Sequence, residues 1–128
     1  MAGERVLIVD DNAANLKLLN IVMSDEGYDV RTAVDAEEAL CVLEDFEPRL
    51  ILMDVQLPGM DGLELTRRLK ASGRARDIVI LALTAYAMKG DEARMLDAGC
   101  DGYMSKPIDV EALPIVAAAH IARGCRGH

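Results

Sequence analysis

The sequence predicts an α/β domain in which a five-stranded parallel sheet is covered by helices on both faces. Two observations lead to this prediction. Short apolar runs rich in β-branched residues alternate with segments whose apolar residues recur at helical spacing. The chain has 128 residues, 52% of them hydrophobic, so it has the length of one domain and can bury a core without a metal or a disulfide.

The first strand is predicted over Val6–Val9, a continuous apolar run that ends in acid and is therefore typical of a strand buried on both faces. The first helix is predicted from Asn15 to Met23, where leucine, isoleucine, valine and methionine recur at helical spacing. Gly27 is the expected C-terminal stop of this helix. The chain therefore begins with one strand and one helix.

The same unit recurs along the rest of the chain. The other predicted strands are Asp29–Ala33, Leu50–Met53, Ile78–Leu83 and Gly102–Ser105. The helices between them are predicted over Ala36–Phe46, from the cap Asp61 to about Ser72, and from about Lys89 to Ala98. Asp35 is the expected N-cap of the second helix, and Gly99 the expected stop of the fourth.

The fifth helix carries a proline about one turn from its expected start. We predict Asp109 as its N-cap, and either a kink at Pro114 or a helix that effectively begins there, because proline lacks the N–H that an interior position needs. Residues 124–128 have no periodicity and are predicted to be a frayed tail. The whole chain, 1–128, is interpreted as a single domain with its core over about 4–123.

The charge and cysteine content restrict the partners and the compartment. Asp and Glu number 22 against 14 Lys and Arg, so the formal net charge is −8. Nucleic acid and anionic membranes are bound largely through clustered basic residues, so neither is expected as a direct partner. Cys41, Cys100 and Cys125 are odd in number and lack metal-ligand spacing. A reduced, cytoplasmic protein is predicted.

Polar residues follow four of the predicted strands. Asp10 and Asp11 follow the first strand and Asp54 the third, while Thr84 follows the fourth and Lys106 lies just after the fifth. Ligands of parallel α/β sheets bind outside the carboxyl ends of the strands. All four strand ends meet at one edge if the sheet order is 2-1-3-4-5.

Three carboxylates at one edge need a cation, because two like charges about 4 Å apart repel by about 4 kcal/mol at an effective dielectric of about 20. Mg²⁺ is the natural partner, since it takes one or two carboxylates and keeps waters that a phosphoryl oxygen can replace. Lys106 would neutralise charge on a transferring phosphoryl group and Thr84 would donate a hydrogen bond to it. One of the acids would then be the nucleophile.

Four motifs resemble the receiver domain of bacterial two-component response regulators. They are Leu-Ile-Val-Asp-Asp-Asn at 7–12, Leu-Met-Asp-Val-Gln-Leu-Pro-Gly-Met-Asp-Gly at 52–62, Leu-Thr-Ala at 83–85 and Gly-Tyr-Met-Ser-Lys-Pro at 102–107. Asp54 lies 44 residues after Asp10, Thr84 lies 30 residues after Asp54, and Lys106 lies 22 residues after Thr84. This spacing is similar to that of the family. The resemblance covers about residues 4–123 and implies a flavodoxin-like (βα)5 fold in three layers.

The resemblance implies a role for each residue of the site. Asp54 would be the phosphoacceptor, taking a phosphoryl group from a phosphohistidine. Asp11, Asp54 and the backbone carbonyl of Gln56 would hold Mg²⁺, or Mn²⁺ in its place, with Asp10 reaching it directly or through water. Lys106 would pair with the phosphoryl oxygens, and the peptide bond that it makes with Pro107 is expected to be cis.

The resemblance also implies a switch. The hydroxyl of Thr84 would move toward the phosphoryl group, and the ring of Tyr103 would rotate inward into the space left. The face made by the fourth helix, fifth strand and fifth helix would then offer different contacts to a downstream protein target. Gln56 and Tyr86 match variable family positions that tune how fast water removes the phosphoryl group.

The leading hypothesis is therefore a phosphorelay signalling switch without an output domain, rather than an enzyme that turns over a metabolite. Its expected partners are a sensor histidine kinase, a histidine phosphotransferase or both. The stretch 86–109 is most similar to single-domain regulators of the DivK type and to receivers of hybrid histidine kinases. Three alternatives stay open: a Mg²⁺-dependent phosphohydrolase with an aspartyl-phosphate intermediate, a degenerate receiver that binds constitutively, and a flavodoxin-like binder of a small molecule.

Overall fold

A computed structural model of the protein describes residues 3–57, 59–73, 78–85 and 91–126. The strands are β1 (Arg5–Val9), β2 (Asp29–Ala33), β3 (Leu50–Asp54), β4 (Val79–Thr84) and β5 (Gly102–Ser105). The helices are α1 (Ala13–Asp25), α2 (Ala36–Asp45), α3 (Gly62–Ala71), α4 (Asp91–Ala98) and α5 (Leu113–Arg126). The strands are parallel and lie in the order β2-β1-β3-β4-β5, which confirms the predicted fold.

Alternating side chains of the strands supply two separate cores, one on each face of the sheet. On one face, Leu7 and Ile51 pack with buried residues of α2, α3 and α4. On the other face, Ile8 and Leu52 pack with buried residues of α1 and α5. The central strands are buried on both sides, as their continuous apolar sequences predict, and the molecule has three layers.

Side-chain caps begin three of the helices. Asn12, Asp35 and Asp61 each accept a hydrogen bond from the backbone N–H three residues later, at 3.0, 2.8 and 2.8 Å, at the starts of α1, α2 and α3. Two of these caps were predicted, whereas Asn12 begins α1 earlier than the apolar pattern alone indicated. The predicted start of α4 near Lys89 lies outside the described residues.

The last helix confirms one part of its prediction and differs from two others. Asp109 does not cap α5: its carboxylate accepts from the N–H groups of Glu111 and Ala112 in a preceding turn, at 2.9 and 3.3 Å. The helix begins at Leu113, so Pro114 stands in its first turn, where no interior N–H is required, and the alternative that the helix effectively begins at this proline is confirmed. At the other end α5 continues to Arg126, past the predicted frayed end at Gly124, because one glycine costs a helix only about 1 kcal/mol relative to alanine.

No helix within the described ranges is both long and apolar enough to cross a bilayer.

The parallel register brings the C-terminal ends of the central strands into line. Val9 lies opposite Met53, Asp54 opposite Leu83, and Thr84 opposite Ser105. The polar residues that end or follow these strands therefore share one edge of the sheet.

Candidate functional site

Three carboxylates meet at the C-terminal edge of the sheet. Asp10, Asp11 and Asp54 each present an oxygen atom within 4.8 Å of the others. Asp10 and Asp54 are buried, whereas Asp11 is exposed. The strand order thus brings together acids that are 44 residues apart in the sequence, as predicted.

Backbone groups of the following loop hold the Asp54 carboxylate. The N–H of Gln56 donates to Asp54 Oδ1 at 3.0 Å, and the N–H of Val55 donates to the carbonyl oxygen of Leu83 at 3.0 Å. The N–H of Gly62 in turn donates to the carbonyl oxygen of Val55 at 2.9 Å, which draws the start of α3 against the end of β3. One main-chain donor therefore holds the Asp54 carboxylate, and main-chain hydrogen bonds of Val55 fix the loop that follows it.

Lys106 connects two of the acids. Its Nζ lies 3.3 Å from Asp54 Oδ1 and 3.5 Å from Asp10 Oδ2. Its backbone N–H donates to the carbonyl oxygen of Thr84 at 2.7 Å, which ties the end of β5 to the end of β4. The peptide bond between Lys106 and Pro107 is cis, as expected.

The surroundings of Asp54 shift its carboxyl toward the neutral form relative to a free carboxyl group. Burial raises the pKa of the Asp54 carboxyl above its ordinary value, and the nearby Asp10 carboxylate adds to the rise. The Gln56 N–H and the Lys106 ammonium lower this pKa but do not cancel the rise. The Lys106 ammonium alone thus does not balance the two buried carboxylates of Asp10 and Asp54. Additional positive charge would stabilise the ionised form of the site.

The acids fit a hard divalent cation. Asp10 Oδ1 accepts the N–H of Asn12 at 2.8 Å, but Asp10 Oδ2 is fully buried and accepts no hydrogen bond. Among the described residues, the nearest positive charge to this oxygen is the Lys106 ammonium, 3.5 Å away. A buried carboxylate oxygen without a hydrogen bond, beside two further carboxylates, is the kind of donor set that Mg²⁺ prefers. Asp10, Asp11 and Asp54 are the residues that would hold the ion, and the predicted contribution of the Gln56 carbonyl stays a prediction.

The two residues of the predicted switch lie on neighbouring strands. Thr84 ends β4 and is buried, with 4% of its surface exposed. Tyr103 lies on β5, opposite Ala82, and is 37% exposed. Tyr86, the second of the predicted tuning residues, lies outside the described residues. The structure therefore provides a buried hydroxyl and an exposed ring, and their movement stays a prediction.

A pocket of about 390 Å³ opens on the β4 side of Asp54. It begins at Val55 and Gln56, directly after Asp54, and it is also lined by Thr84. Two charged residues line it among those the structure describes: Asp61, the cap of α3, and Arg94, on α4. This pocket lies on the opposite side of β3 from β1, whose end carries Asp10 and Asp11.

A second groove, of about 430 Å³, lies between α1 and the segment that follows β5. Asp10 and Lys106 lie at its polar end, and Leu18 of α1 and Ile108 after β5 form its apolar wall. Leu18 is 45% exposed although it is a large apolar residue. The groove therefore joins the acidic site to an exposed apolar surface on α1.

Sequence reasoning did not identify Gly62 as a residue of the site. A Cβ atom on Gly62 would overlap the backbone carbonyl oxygen of Asp54 and would lie 3.0 Å from the Met53 side chain. Only glycine permits so close an approach of α3 to β3. The available signal was a glycine directly after the helix cap Asp61, a position where helix propensity gives no reason for one.

Comparisons with known proteins agree with this geometry. The family model for the response regulator receiver domain matches residues 6–118. The chain is 46% identical over 105 residues to the polar-differentiation response regulator DivK of Brucella anthropi, a match that covers 82% of this chain and 85% of the relative. The DivK protein of Brucella ovis matches with the same identity and coverage.

Solved structures with the same fold include other receivers. A CheY-like receiver domain protein from Methanospirillum hungatei superimposes with a TM-score of 0.89 at 31% identity, covering 99% of this chain and 100% of that one. The receiver domain of the sensor histidine kinase PA1611 from Pseudomonas aeruginosa, with a magnesium ion in its active-site cleft, gives a TM-score of 0.85 at 34% identity, covering 94% and 99%. Sequence, topology and site geometry agree, and the chain belongs to the response regulator receiver domain family.

Proposed function

We propose that the chain is a phosphorylation-controlled switch that takes a phosphoryl group from a phosphohistidine onto Asp54 in the presence of Mg²⁺. The single observation that carries this proposal is the meeting of Asp54 with two further carboxylates and the Lys106 ammonium at one sheet edge. The chain would act in the cytoplasm, and the phosphodonor would be a sensor histidine kinase, a histidine phosphotransferase or both.

In the proposed transfer, a carboxylate oxygen of Asp54 attacks the phosphorus atom, the phosphorus–nitrogen bond breaks, and the histidine nitrogen leaves with its electron pair. Lys106 Nζ, 3.3 Å from Asp54 Oδ1, offsets negative charge on the phosphoryl oxygens. The Thr84 hydroxyl donates to one of these oxygens. When bound, Mg²⁺ supplies the remaining positive charge, held by Asp10, Asp11 and Asp54.

We propose that the phosphodonor docks on the second groove, where Leu18 is exposed beside Asp10 and Lys106. An apolar helix face would cover Leu18 and bring its histidine to the polar end of the groove. Leu18→Glu should then slow transfer from a histidine phosphotransferase without slowing transfer from acetyl phosphate. Leu96→Glu is the matched control, because Leu96 is similarly exposed but lies on α4, away from this groove.

The output is proposed to be a change in the face formed by α4, β5 and α5. Movement of the buried Thr84 hydroxyl toward the phosphoryl group would free space for Tyr103, now exposed on β5. A downstream protein would distinguish the two arrangements by its contacts with this face. Thr84→Val should therefore uncouple phosphorylation from the change on α4 and α5, whereas Thr84→Ser should preserve it, as amide NMR spectra would report.

The experiment that tests the phosphoacceptor is intact-protein mass spectrometry after incubation with acetyl phosphate. Wild type should gain one phosphoryl group with Mg²⁺ and none with EDTA, and Asp54→Asn should gain none. Asp35→Asn, which keeps the α2 cap and removes a charge outside the site, should be labelled like wild type.

Each other outcome contradicts part of the proposal. Equal labelling of Asp54→Asn would move the phosphoacceptor to another residue. No labelling of wild type under conditions that label another receiver would favour the degenerate, constitutively binding alternative. Continuous release of phosphate from a generic phosphomonoester would favour the phosphohydrolase alternative.

A further inference from the structure

Arg94 has no predicted role, although it lines the same pocket as two residues that have one. It is exposed on α4, and with Gln56 and Thr84 it lines the pocket of about 390 Å³ that opens beside Asp54. Two of its pocket neighbours are residues expected to face the phosphoryl group or the water that removes it. A guanidinium in the same pocket is placed to take part in the same chemistry.

The order of the strands determines which phosphoryl oxygens could meet Arg94. Asp54 ends β3, between β1, which leads to the carboxylates Asp10 and Asp11, and β4, which ends at Thr84. A phosphoryl group on Asp54 would have the metal on its β1 side. Its oxygens on the β4 side would face the Thr84 hydroxyl and the pocket that Arg94 lines.

The electrostatics favour a contact that forms on phosphorylation. An aspartyl phosphate carries more negative charge than the free carboxylate, and it presents several acceptor oxygens. Asp61 is the other charged residue lining the pocket among those described. Arginine suits phosphoryl recognition because its planar guanidinium can bind two oxygens at once.

We propose that Arg94 binds the phosphoryl group on Asp54 from the β4 side and thereby stabilises the phosphorylated state. The inference rests on the proposed function, because it requires Asp54 to be the phosphoacceptor. It adds a direct charge contact between the site and α4, separate from the movement of Thr84. Since a contact made only in one state shifts the equilibrium toward that state, α4 would be drawn to the site on phosphorylation.

The test is the affinity of the full chain for trifluoroberyllate, BeF₃⁻, a phosphoryl mimic that binds to carboxylates, measured by titration calorimetry in Mg²⁺. Arg94→Ala should bind it about fivefold more weakly, the upper end of what an exposed ion pair contributes. Arg94→Lys should recover part of this loss and Arg94→Gln should not, because the contact depends on positive charge. The difference from wild type should shrink at high salt.

Arg67→Ala is the matched control, since Arg67 is an exposed arginine on α3 that pairs with Glu64 at 3.4 Å. Wild-type affinity in Arg94→Ala, equal affinities in Arg94→Gln and Arg94→Lys, or the same loss in Arg67→Ala would overturn the inference. Failure of the proposed function gives a different pattern: wild type would not bind BeF₃⁻, or Asp54→Asn would bind it as wild type does. Circular dichroism of each variant separates these results from loss of the fold.

Discussion

Gly62 lies so close to Asp54 that a Cβ atom at position 62 would overlap the Asp54 carbonyl oxygen. The contact is made by main chain alone and is accompanied by the hydrogen bond from the Gly62 N–H to the carbonyl oxygen of Val55, 2.9 Å long. It places the start of α3 directly against the residue that we propose as the phosphoacceptor. The packing of α3 and the position of the site are therefore linked through one glycine.

Gly62→Ala is expected to destabilise the fold and to disturb the site together. The added methyl group meets backbone, which cannot rotate away, so overpacking should lower the free energy of unfolding by about 1–3 kcal/mol. The displaced Asp54 should also accept a phosphoryl group from acetyl phosphate more slowly. Urea denaturation and intact mass measure the two effects.

Gly73→Ala is the control for this substitution. Gly73 has open space around its Cβ position but a φ of +80°, so alanine there should cost about 1–2 kcal/mol through the backbone alone. It follows α3 rather than beginning it, and phosphorylation should be unaffected. Equal phosphorylation rates in the two variants would contradict a role for Gly62 in positioning Asp54.

Asp54→Asn is expected to stabilise the metal-free protein at neutral pH. The pKa of Asp54 is raised by burial and by Asp10, so the wild-type fold favours the protonated acid. This contribution is fully present below the ordinary carboxyl pKa of about 3.9 and is lost as the pH rises through the raised value. In EDTA, the stability advantage of Asp54→Asn should thus grow from pH 4 to pH 7, as urea denaturation would report. An advantage that is constant across this range would contradict the raised pKa.

The sheet was predictable from sequence because its central strands are apolar on both faces and end in polar residues. Val6–Val9 is fully buried, and only an inner strand of a sheet covered on both sides accommodates such a run. The meeting of Asp10 with Asp54 then follows from the strand order. The strand order itself was expected from the resemblance of the four motifs to receiver domains, because apolar periodicity alone does not specify which strands are neighbours.

Other features depend on contacts that a linear pattern does not contain. The closeness of Gly62 to Asp54 is a contact between the start of a helix and the end of a strand, and the sequence showed only a glycine after a cap. The start of α5 was uncertain because Asp109 carries a capping side chain four residues before Leu113, and its two hydrogen bonds stabilise a turn instead. Arg94 lines the pocket next to Thr84 through the packing of α4, and its sequence neighbours give no sign of this.

Mg²⁺ is expected to stabilise the wild-type protein by binding only to the folded state. At about 100 times the dissociation constant the gain is about 2.7 kcal/mol, and it should disappear in EDTA. Asp11→Asn should lose most of this gain, because Asp11 contributes one of the three clustered carboxylates. Asp35→Asn should keep it, since Asp35 caps α2 away from the cluster. Thermal unfolding with and without Mg²⁺ measures the effect, and equal gains in both variants would contradict the proposed metal site.

Lys106→Met is expected to weaken the metal-free fold in a way that depends on pH. The substitution keeps the apolar stem but removes the ammonium that lies 3.3 Å from Asp54 Oδ1 and 3.5 Å from Asp10 Oδ2, leaving two buried carboxylates without their nearest positive charge. The free energy of unfolding at pH 7 should fall by about 1–3 kcal/mol, and less at pH 4, where protonation relieves the repulsion. Added Mg²⁺ should restore part of the loss, because it supplies positive charge to the same oxygens. Lys17→Met, on the exposed face of α1, should change little in urea denaturation, and a pH-independent loss in Lys106→Met would point to packing rather than charge.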